Sequence, residues 1–437
     1  MISLKNKILC SFIFSLISAG NVFCQTTDAE LIRCGSVERE AILIQNHPEL
    51  LRKKEESQLI IQNYLSNLGG QAFRMAAVEE VVIPVVVHVV YNTTAIGNQQ
   101  GNGSADDNNI LDSQVKSQIE VLNEDYARLS GTNTFYSDSL GVDTKIRFEL
   151  VNIVHQYTSV KEFNPLTDAA KLASISSPWR TDRYLNIWVC KLASRYLGSA
   201  QFPAVERITN GTEGLGLEKE DDNYDTDGII IDYRYFGREG APIVSKLYNL
   251  GRTTTHEVGH WLGLIHIWGD AVCGNDYCED TPTAKAANQV TDLECVPVFS
   301  TCRGAISRNM IDNYMDYSPD QCMGLFTQNQ TDRMHAVISL SKRRAKLIEF
   351  GRKTDTKMAV TIYPNPVLDK SSEFLVADVY TPNYQAYTIE VFNSSGNRVV
   401  GELENAYKIN VRNFASGIYF IRVSSGSQTI TKRFVIQ

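Results

Sequence analysis

Residues 253–270 read TTTHEVGHWLGLIHIWGD, and this stretch decides the fold because it places three histidines on and just after one helix. His256 and His260 are four residues apart, so on a helix their imidazoles share one face and can bind one ion. Glu257 can reach a water on that ion, as the general base of a metal-assisted hydrolase does. A glycine then lets the chain leave the helix, so that His266 can return as a third ligand. The spacing predicts a zinc site.

Length and composition limit the class of protein. A chain of 437 residues is too long for one ordinary core, so we expect two or three folded units. With 43% hydrophobic and 21% charged residues, the composition is typical of soluble globular proteins. The net charge of -8 leaves no basic surplus to neutralise phosphates, which argues against nucleic acid as a partner.

The N-terminus has the pattern of an export signal. Two lysines, an apolar run at residues 8–17 and small residues after it follow the order of a secretory signal peptide, which we place at residues 1–24. The run is too short to span a bilayer, and no later stretch of about 20 apolar residues follows, so no transmembrane segment is expected. A lipid-modified Cys24 is an alternative that the bulky Phe23 before it disfavours.

Residues 25–74 are mostly charged and helix-forming, with too little apolar material for a core of their own. They precede the metal motif, so we interpret them as a pro-segment that is removed by a cut near Arg74. Within them, the thiol of Cys34 could ligate the zinc where the catalytic water must bind, which would make Cys34 a latency switch. The alternative is a spare thiol without a role.

Residues 75–352 are predicted to form an α/β catalytic domain, a twisted mixed sheet with an active-site helix. The β-branched run VVIPVVVHVVY at residues 81–91 predicts a buried strand, with His88 as a core histidine. A helix near residues 112–126, a possible edge strand at 197–203, a closing helix at 326–350 and further strands at 146–150, 185–190 and 228–233 complete the prediction.

Two stretches after the zinc motif carry further candidates. The acidic loop CGNDYCEDTPT at residues 273–283 offers hard oxygen ligands, among them Asp280, so a calcium site there competes with a plain acidic surface. Met315 can pack under a histidine-ligated metal, and the hydroxyl of Tyr317 could stabilise an oxyanion beside it. Taken alone, both residues would be core residues.

The last part of the chain has a different texture. Residues 358–437 contain short alternating strands separated by turns rich in serine and glycine, which predict a small all-β sandwich. No titratable residues cluster there, so we expect this domain to be non-catalytic.

The number of cysteines predicts disulfides and one free thiol. Nine cysteines become seven when Cys10 and Cys24 leave with the signal peptide, and Cys34 is isolated. An oxidising compartment favours disulfides among the other six, which are Cys190, Cys273, Cys278, Cys295, Cys302 and Cys322.

Residues 83–350 resemble the pappalysin family of metzincin zinc endopeptidases. The likeness is most specific in residues 251–270 and continues through NYMDY at residues 313–317. It implies His256, His260 and His266 as zinc ligands, Glu257 as general base and acid, Met315 as the Met-turn and Tyr317 as a helper at the transition state.

The same resemblance implies further features. These are a Cys278–Cys302 and a Cys295–Cys322 disulfide, calcium near Asp280 and latency through a pro-segment cysteine. The chain departs from the pattern at one position: similar enzymes that prefer a basic residue after the cut bond carry an acid where this chain has Gln321, although Asp320 is adjacent.

The tail, with YPNP at residues 363–366 and GIY at 417–419, resembles the C-terminal sorting domain of the bacterial type IX secretion system. This resemblance implies a Bacteroidetes-like host, passage across the outer membrane, and release or surface attachment afterwards.

We therefore expect a secreted, zinc-dependent endopeptidase, made as a latent zymogen, whose partners are protein or peptide substrates and the type IX machinery. A zinc-binding adhesin without turnover is one alternative, against which the intact Glu257 speaks. A zinc hydrolase acting on a non-peptide substrate is the other.

Overall fold

The computed structural model describes residues 31–67, 80–93, 101, 104–129, 139–193, 195–203, 224–289, 293–351, 357–368 and 373–437. The predicted signal peptide and the predicted cut near Arg74 lie outside these residues. Among the described residues, no helix is both long and apolar enough to cross a membrane.

A six-stranded mixed sheet forms the centre of the larger unit, as the α/β prediction requires. Its strands are β1 (Ile32–Cys34), β2 (Val81–Tyr91), β3 (Ile146–Tyr157), β4 (Leu185–Cys190), β5 (Tyr196–Ala200) and β6 (Gly228–Asp232), in the order β1-β5-β6-β4-β2-β3. All neighbours are parallel except β5, which runs antiparallel to β6. The inner strands are buried along almost their whole length, which explains their β-branched composition. His88 is a buried core residue, bonded to Ser176 and Asn186.

Seven α-helices accompany this sheet among the described residues. They are α1 (Ser36–Asn46), α2 (Glu49–Asn67), α3 (Asp112–Tyr126), α4 (Ala169–Ile175), α5 (Arg252–Trp261), α6 (Gln328–Leu340) and α7 (Lys342–Gly351). Helix α5 is buried at every residue and packs against β5, β6 and α3. The prediction of one closing helix at residues 326–350 was wrong, because the extended backbone of Ser341 separates α6 from α7.

Residues 31–67 pack on the rest of the unit rather than on a core of their own. Strand β1 pairs with β5, so that Cys34 lies opposite Gly198. Helix α2 packs on α6, where Ile61 is buried against Val337 and its neighbours. Full burial of such a side chain contributes about 1.5–3 kcal/mol.

The loop after the active-site helix is held by two disulfides and a hairpin of β7 (Phe299–Cys302) and β8 (Ala305–Arg308). Cys295 pairs with Cys322, as the resemblance implied. The expected Cys278–Cys302 bond was wrong, because Cys302 pairs with Cys273. The Cα atoms of that pair are 5.6 Å apart, within the range a disulfide needs, whereas Cys278 turns inward as a buried thiol.

Residues 357–368 and 373–437 form the predicted β-sandwich. Its strands are β9 (Ala359–Tyr363), β10 (Phe374–Tyr380), β11 (Thr388–Asn393), β12 (Arg398–Glu404), β13 (Lys408–Asn410), β14 (Gly417–Ser425) and β15 (Gln428–Ile436). They form two antiparallel sheets, in the orders β13-β10-β9 and β12-β11-β14-β15, around one apolar core. The alternating burial along β14 accounts for its sequence pattern.

Candidate metal centre and active site

Three histidine side chains converge at the C-terminal end of helix α5. His256 and His260 come from the helix, and His266 returns after Gly263, whose positive φ of 90° ends the helix. The three Nε2 atoms lie 3.1–3.2 Å from one another, and all three side chains are buried. The structure thus brings together the three ligands predicted from their spacing.

The opposite ring nitrogens fix the chemical state of this cluster. Nδ1 of His256 lies 2.7 Å from the carbonyl oxygen of Tyr314, and Nδ1 of His260 lies 2.9 Å from that of Leu264. Carbonyl oxygens only accept, so both Nδ1 atoms carry the proton and donate it, which leaves each Nε2 with a lone pair. Nδ1 of His266 faces the carboxylate of Asp270.

Burial supports the neutral form of these rings. Burial, with the nearby His260, holds the pKa of His256 well below its usual range, and burial with the nearby His266 lowers the pKa of His260 to about 3. Three lone pairs therefore point at one buried spot, which a cation would satisfy. Tetrahedral zinc with Zn–N bonds of about 2.0–2.1 Å needs ligand nitrogens about 3.3 Å apart, so the donor set fits zinc.

Glu257 lies next to this cluster and is completely buried. Its Oε2 accepts a hydrogen bond from the hydroxyl of Ser36 at 2.7 Å, whereas Oε1 has no protein partner. Burial raises the pKa of Glu257 to about 7, although the hydrogen bonds from Ser36 and Cys34 act in the opposite direction. A carboxyl group in this state can take up and release a proton near neutral pH.

Met315 and Tyr317 lie where the sequence pattern predicted. Gly259 of α5 leaves room for Met315, since a Cβ built at Gly259 would lie 2.5 Å from the Met315 sulfur. The ring of Tyr317 packs edge-on against His266, 5.0 Å between centroids, and its hydroxyl donates to the carbonyl oxygen of Cys34 at 3.3 Å. The phenol thus borders the metal cluster.

Cys34 is buried beside the three histidines. Its Sγ and the ligand nitrogens of the three histidines all lie within 4.8 Å of one another, which makes a possible four-ligand group. The same Sγ lies 3.5 Å from Oε2 of Glu257. Burial, followed by the charge of Glu257, raises the pKa of this thiol well above its usual range when no metal is bound.

The residue before Cys34 fills a neighbouring pocket. Arg33 is buried, and its guanidinium binds Asp320 Oδ1 at 2.9 Å and the carbonyl oxygen of Ser318 at 2.8 Å. The backbone N–H of Leu250 donates to the other carboxylate oxygen of Asp320. Gln321 occupies the position where similar enzymes that prefer a basic residue carry an acid. Its side chain is exposed and donates a hydrogen bond to the carbonyl oxygen of Leu293.

Asp280 lies away from this centre. Its Oδ1 accepts from the hydroxyl of Thr327 at 2.7 Å and its Oδ2 from the N–H of Asn329 at 2.9 Å, so it caps the start of helix α6. Among the described residues, the only group of three or more His, Cys, Asp or Glu side chains arranged for a metal is that of Cys34 and the three histidines.

Sequence reasoning missed Ser36 as a site residue, since a lone serine after a glycine carries no signal. Asp270 was quoted only as part of the motif, and its place four residues after His266 was the available clue to its role.

The fold and this site define a zinc metalloprotease. The sequence profile described as pregnancy-associated plasma protein-A matches residues 238–339. An extracellular metalloprotease of Colletotrichum graminicola is 30% identical over 276 residues, 62% of this chain and 80% of the relative. Extracellular metalloprotease 1 of Coccidioides posadasii is 30% identical over 276 residues, 60% of this chain and 83% of the relative. The chain therefore belongs to the pappalysin family of peptidases, which confirms the resemblance found in the sequence.

Solved structures give the same result. A promirolysin variant of Tannerella forsythia is similar with a TM-score of 0.55 and 32% identity, over 72% of this chain and 97% of that protein. Mirolysin in complex with a small compound is similar with a TM-score of 0.52 and 35% identity, over 63% of this chain and 98% of that protein. Residues 361–437 match a secretion system C-terminal sorting domain, so the enzyme is exported through the type IX route.

Proposed function

We propose that this exported zinc endopeptidase hydrolyses protein substrates with Glu257 as general base and that residues 25–74 keep it latent until they are removed. The observation that carries the proposal is the triangle of three Nε2 atoms, 3.1–3.2 Å apart, with the buried carboxyl of Glu257 beside it. Zinc held by His256, His260 and His266 would lower the pKa of a water and polarise the scissile carbonyl.

The protein groups supply the proton transfers and the charge stabilisation. Glu257 accepts a proton from the attacking water and passes it to the leaving amine, for which its pKa of about 7 is suited. The hydroxyl of Tyr317, freed from Cys34 when residues 31–67 leave, donates to the oxygen on which negative charge develops.

Glu257→Ala tests the role of the carboxyl group. The variant is expected to bind zinc as the parent does and to lose cleavage of casein, because the base is absent while the ligands remain. Full cleavage by this variant would remove Glu257 from the mechanism. Zinc content by elemental analysis and chelator-sensitive casein digestion by the parent are the measurements.

The same assay separates the alternatives. A zinc-binding adhesin would bind zinc without chelator-sensitive digestion of any protein. A hydrolase of non-peptide substrates would leave casein intact but turn over small esters or amides in a zinc-dependent manner.

We propose that Cys34 acts as the latency switch. Its Sγ lies within 4.8 Å of the ligand nitrogens of the three histidines, and zinc bound there would favour the thiolate despite burial. Cys34→Ala in the unprocessed chain is expected to raise basal cleavage. Latency equal to that of the parent would contradict this role.

The surroundings of Arg33 favour a basic side chain of the substrate at the same place. When residues 31–67 leave, Oδ1 of Asp320 loses its cation inside a buried pocket, so an arginine or lysine of the substrate would be favoured there. Sequencing the products of a peptide library should show a basic residue beside the cut bond. An even distribution of residues would contradict this preference.

Calcium near Asp280 stays a prediction. If calcium binds there, the melting temperature of the protein should rise with added calcium chloride and fall with a calcium chelator, and an unchanged melting temperature would argue for the plain acidic loop.

A further inference from the structure

Ser36 makes a second contact with the active site, separate from that of Cys34. Its side chain is buried at the start of helix α1. The hydroxyl donates to Oε2 of Glu257 at 2.7 Å and accepts from the backbone N–H of Ala200 on β5, also at 2.7 Å. One oxygen atom therefore bridges the carboxyl group of Glu257 and the backbone of strand β5.

This bridge is the closer of the two contacts with Glu257. The Cys34 sulfur lies 3.5 Å from Oε2, and a thiol is a weak donor, whereas the Ser36 hydroxyl lies at the ordinary distance of a strong O–H···O⁻ bond. Oε1 of Glu257 has no protein partner in the described structure, so Ser36 makes the short hydrogen bond to this carboxyl group.

The backbone fixes the hydroxyl in this place. The N–H of Gly35 donates to the carbonyl oxygen of Gly198 at 2.9 Å, which sets the register of the segment on β5. A Cβ at Gly35 would come within 2.9 Å of Leu166 and 3.2 Å of Tyr196, so glycine allows this close approach. The position of Ser36 therefore follows from a tightly seated main chain.

We propose that Ser36 is a second inhibitory residue, which blocks the general base while Cys34 blocks the metal. The hydroxyl donates to Glu257, as an attacking water would, and accepts from the N–H of Ala200, as a substrate carbonyl oxygen could. A water that approaches Oε2 has to compete with the Ser36 hydroxyl, which already donates to that oxygen at 2.7 Å. This inference rests on the role of Glu257 proposed above, but the contact itself does not need zinc.

Because the contact is independent of zinc, it can be tested without enzyme activity. Hydrogen exchange is measured on the full-length chain after a chelator has removed zinc, at the backbone N–H groups of Gly35 and Ala200. Without the hydrogen bond from Ser36 to Glu257, the segment should open more often. The exchange rates of these two N–H groups should then rise about 10-fold, equivalent to about 1.4 kcal/mol. The variants are Ser36→Ala and Ser36→Thr, which keeps the hydroxyl.

Ser57→Ala is the matched control. Ser57 is a buried serine of the same segment whose hydroxyl donates to the carbonyl oxygen of Lys53. Faster exchange in Ser36→Ala, with protection kept in Ser36→Thr and Ser57→Ala, supports the proposal. Equal exchange in Ser36→Ala and Ser57→Ala overturns it, as does an equal loss in Ser36→Ala and Ser36→Thr, which would assign the effect to packing.

Cleavage assays on the zinc-loaded, unprocessed chain form the second arm. Ser36→Ala combined with Cys34→Ala is expected to give about 10-fold more basal cleavage than Cys34→Ala alone. Equal rates overturn the inhibitory role of Ser36. If the processed parent enzyme cleaves no protein, the proposed function fails, and the exchange data still decide whether the Ser36 contact holds the segment.

Discussion

Asp227→Asn should destabilise the unit that contains the active site, because Asp227 lies at the centre of a buried ion cluster. Its Oδ2 accepts from Arg344 at 2.7 Å and from Arg343 at 2.6 Å, and its Oδ1 accepts from the indole of Trp261 at 2.8 Å. Trp261 is the last residue of the active-site helix α5. The cluster therefore joins α7 to the helix that carries two zinc ligands.

The size of the effect follows from the carboxylate's environment. Burial alone would raise the pKa of Asp227, but the charges of Arg344 and Arg343 outweigh burial and lower it to about 2. Relative to the ordinary value of 3.8, this corresponds to about 2–3 kcal/mol of native stability. Removing one partner of a buried ion pair costs about 3–5 kcal/mol, so we expect a loss of about 3 kcal/mol.

Tryptophan fluorescence on heating measures this loss selectively. The four tryptophans of the chain lie between residues 179 and 268, none of them in the β-sandwich. A loss of about 3 kcal/mol should lower the melting temperature by roughly 6–12 °C. Asp225→Asn is the control, since Asp225 is exposed and makes a surface ion pair with Lys408.

The stabilisation by Asp227 should decrease as the pH falls. Because the pKa of Asp227 is lower in the folded than in the unfolded protein, its contribution is present above about pH 4 and is lost as the pH falls toward 2. The difference between parent and variant should therefore shrink in acid. A variant that melts within about 2 °C of the Asp225→Asn control at neutral pH, a difference of about 0.5–1 kcal/mol, would refute the reasoning.

Three further changes test other parts of the site. Asp270→Asn removes the charge facing His266 and should weaken zinc affinity about 10–100-fold in a chelator competition; unchanged affinity would contradict a positioning role. Gly259→Ala places a methyl group against the sulfur of Met315 and should lower the free energy of unfolding in urea by about 1–3 kcal/mol; an unchanged free energy would contradict close packing of Met315 on the helix. Arg33→Met breaks a buried ion pair and should raise basal cleavage by the unprocessed chain about 100-fold, whereas unchanged latency would argue against anchoring by this pair.

The parts that sequence could predict depend on local spacing. The interval between His256 and His260 is a helical interval, so their convergence follows from backbone geometry. The apolar runs at residues 81–91 and 185–190 similarly predict buried strands, and the observed strands have these limits.

The rest depends on contacts between residues far apart in the chain. Arg33 meets Asp320 across 287 positions and Ser36 meets Glu257 across 221, and no periodicity in the sequence records such a meeting. Strand β1 has three residues and exists because β5 offers it an edge. The error over Cys278 has a similar cause, since the direction in which a loop cysteine turns depends on the surrounding packing.

The docking of residues 31–67 affects how activation would proceed. The ion pair of Arg33, the pairing of β1 and the burial of Ile61 all lie before residue 68, so one cut beyond that point breaks none of them. The severed peptide would remain a bound ligand, and its escape would depend on dilution because the tether that kept its effective concentration high is gone. Freshly cut enzyme should therefore gain activity on dilution or after a second protease digests the peptide.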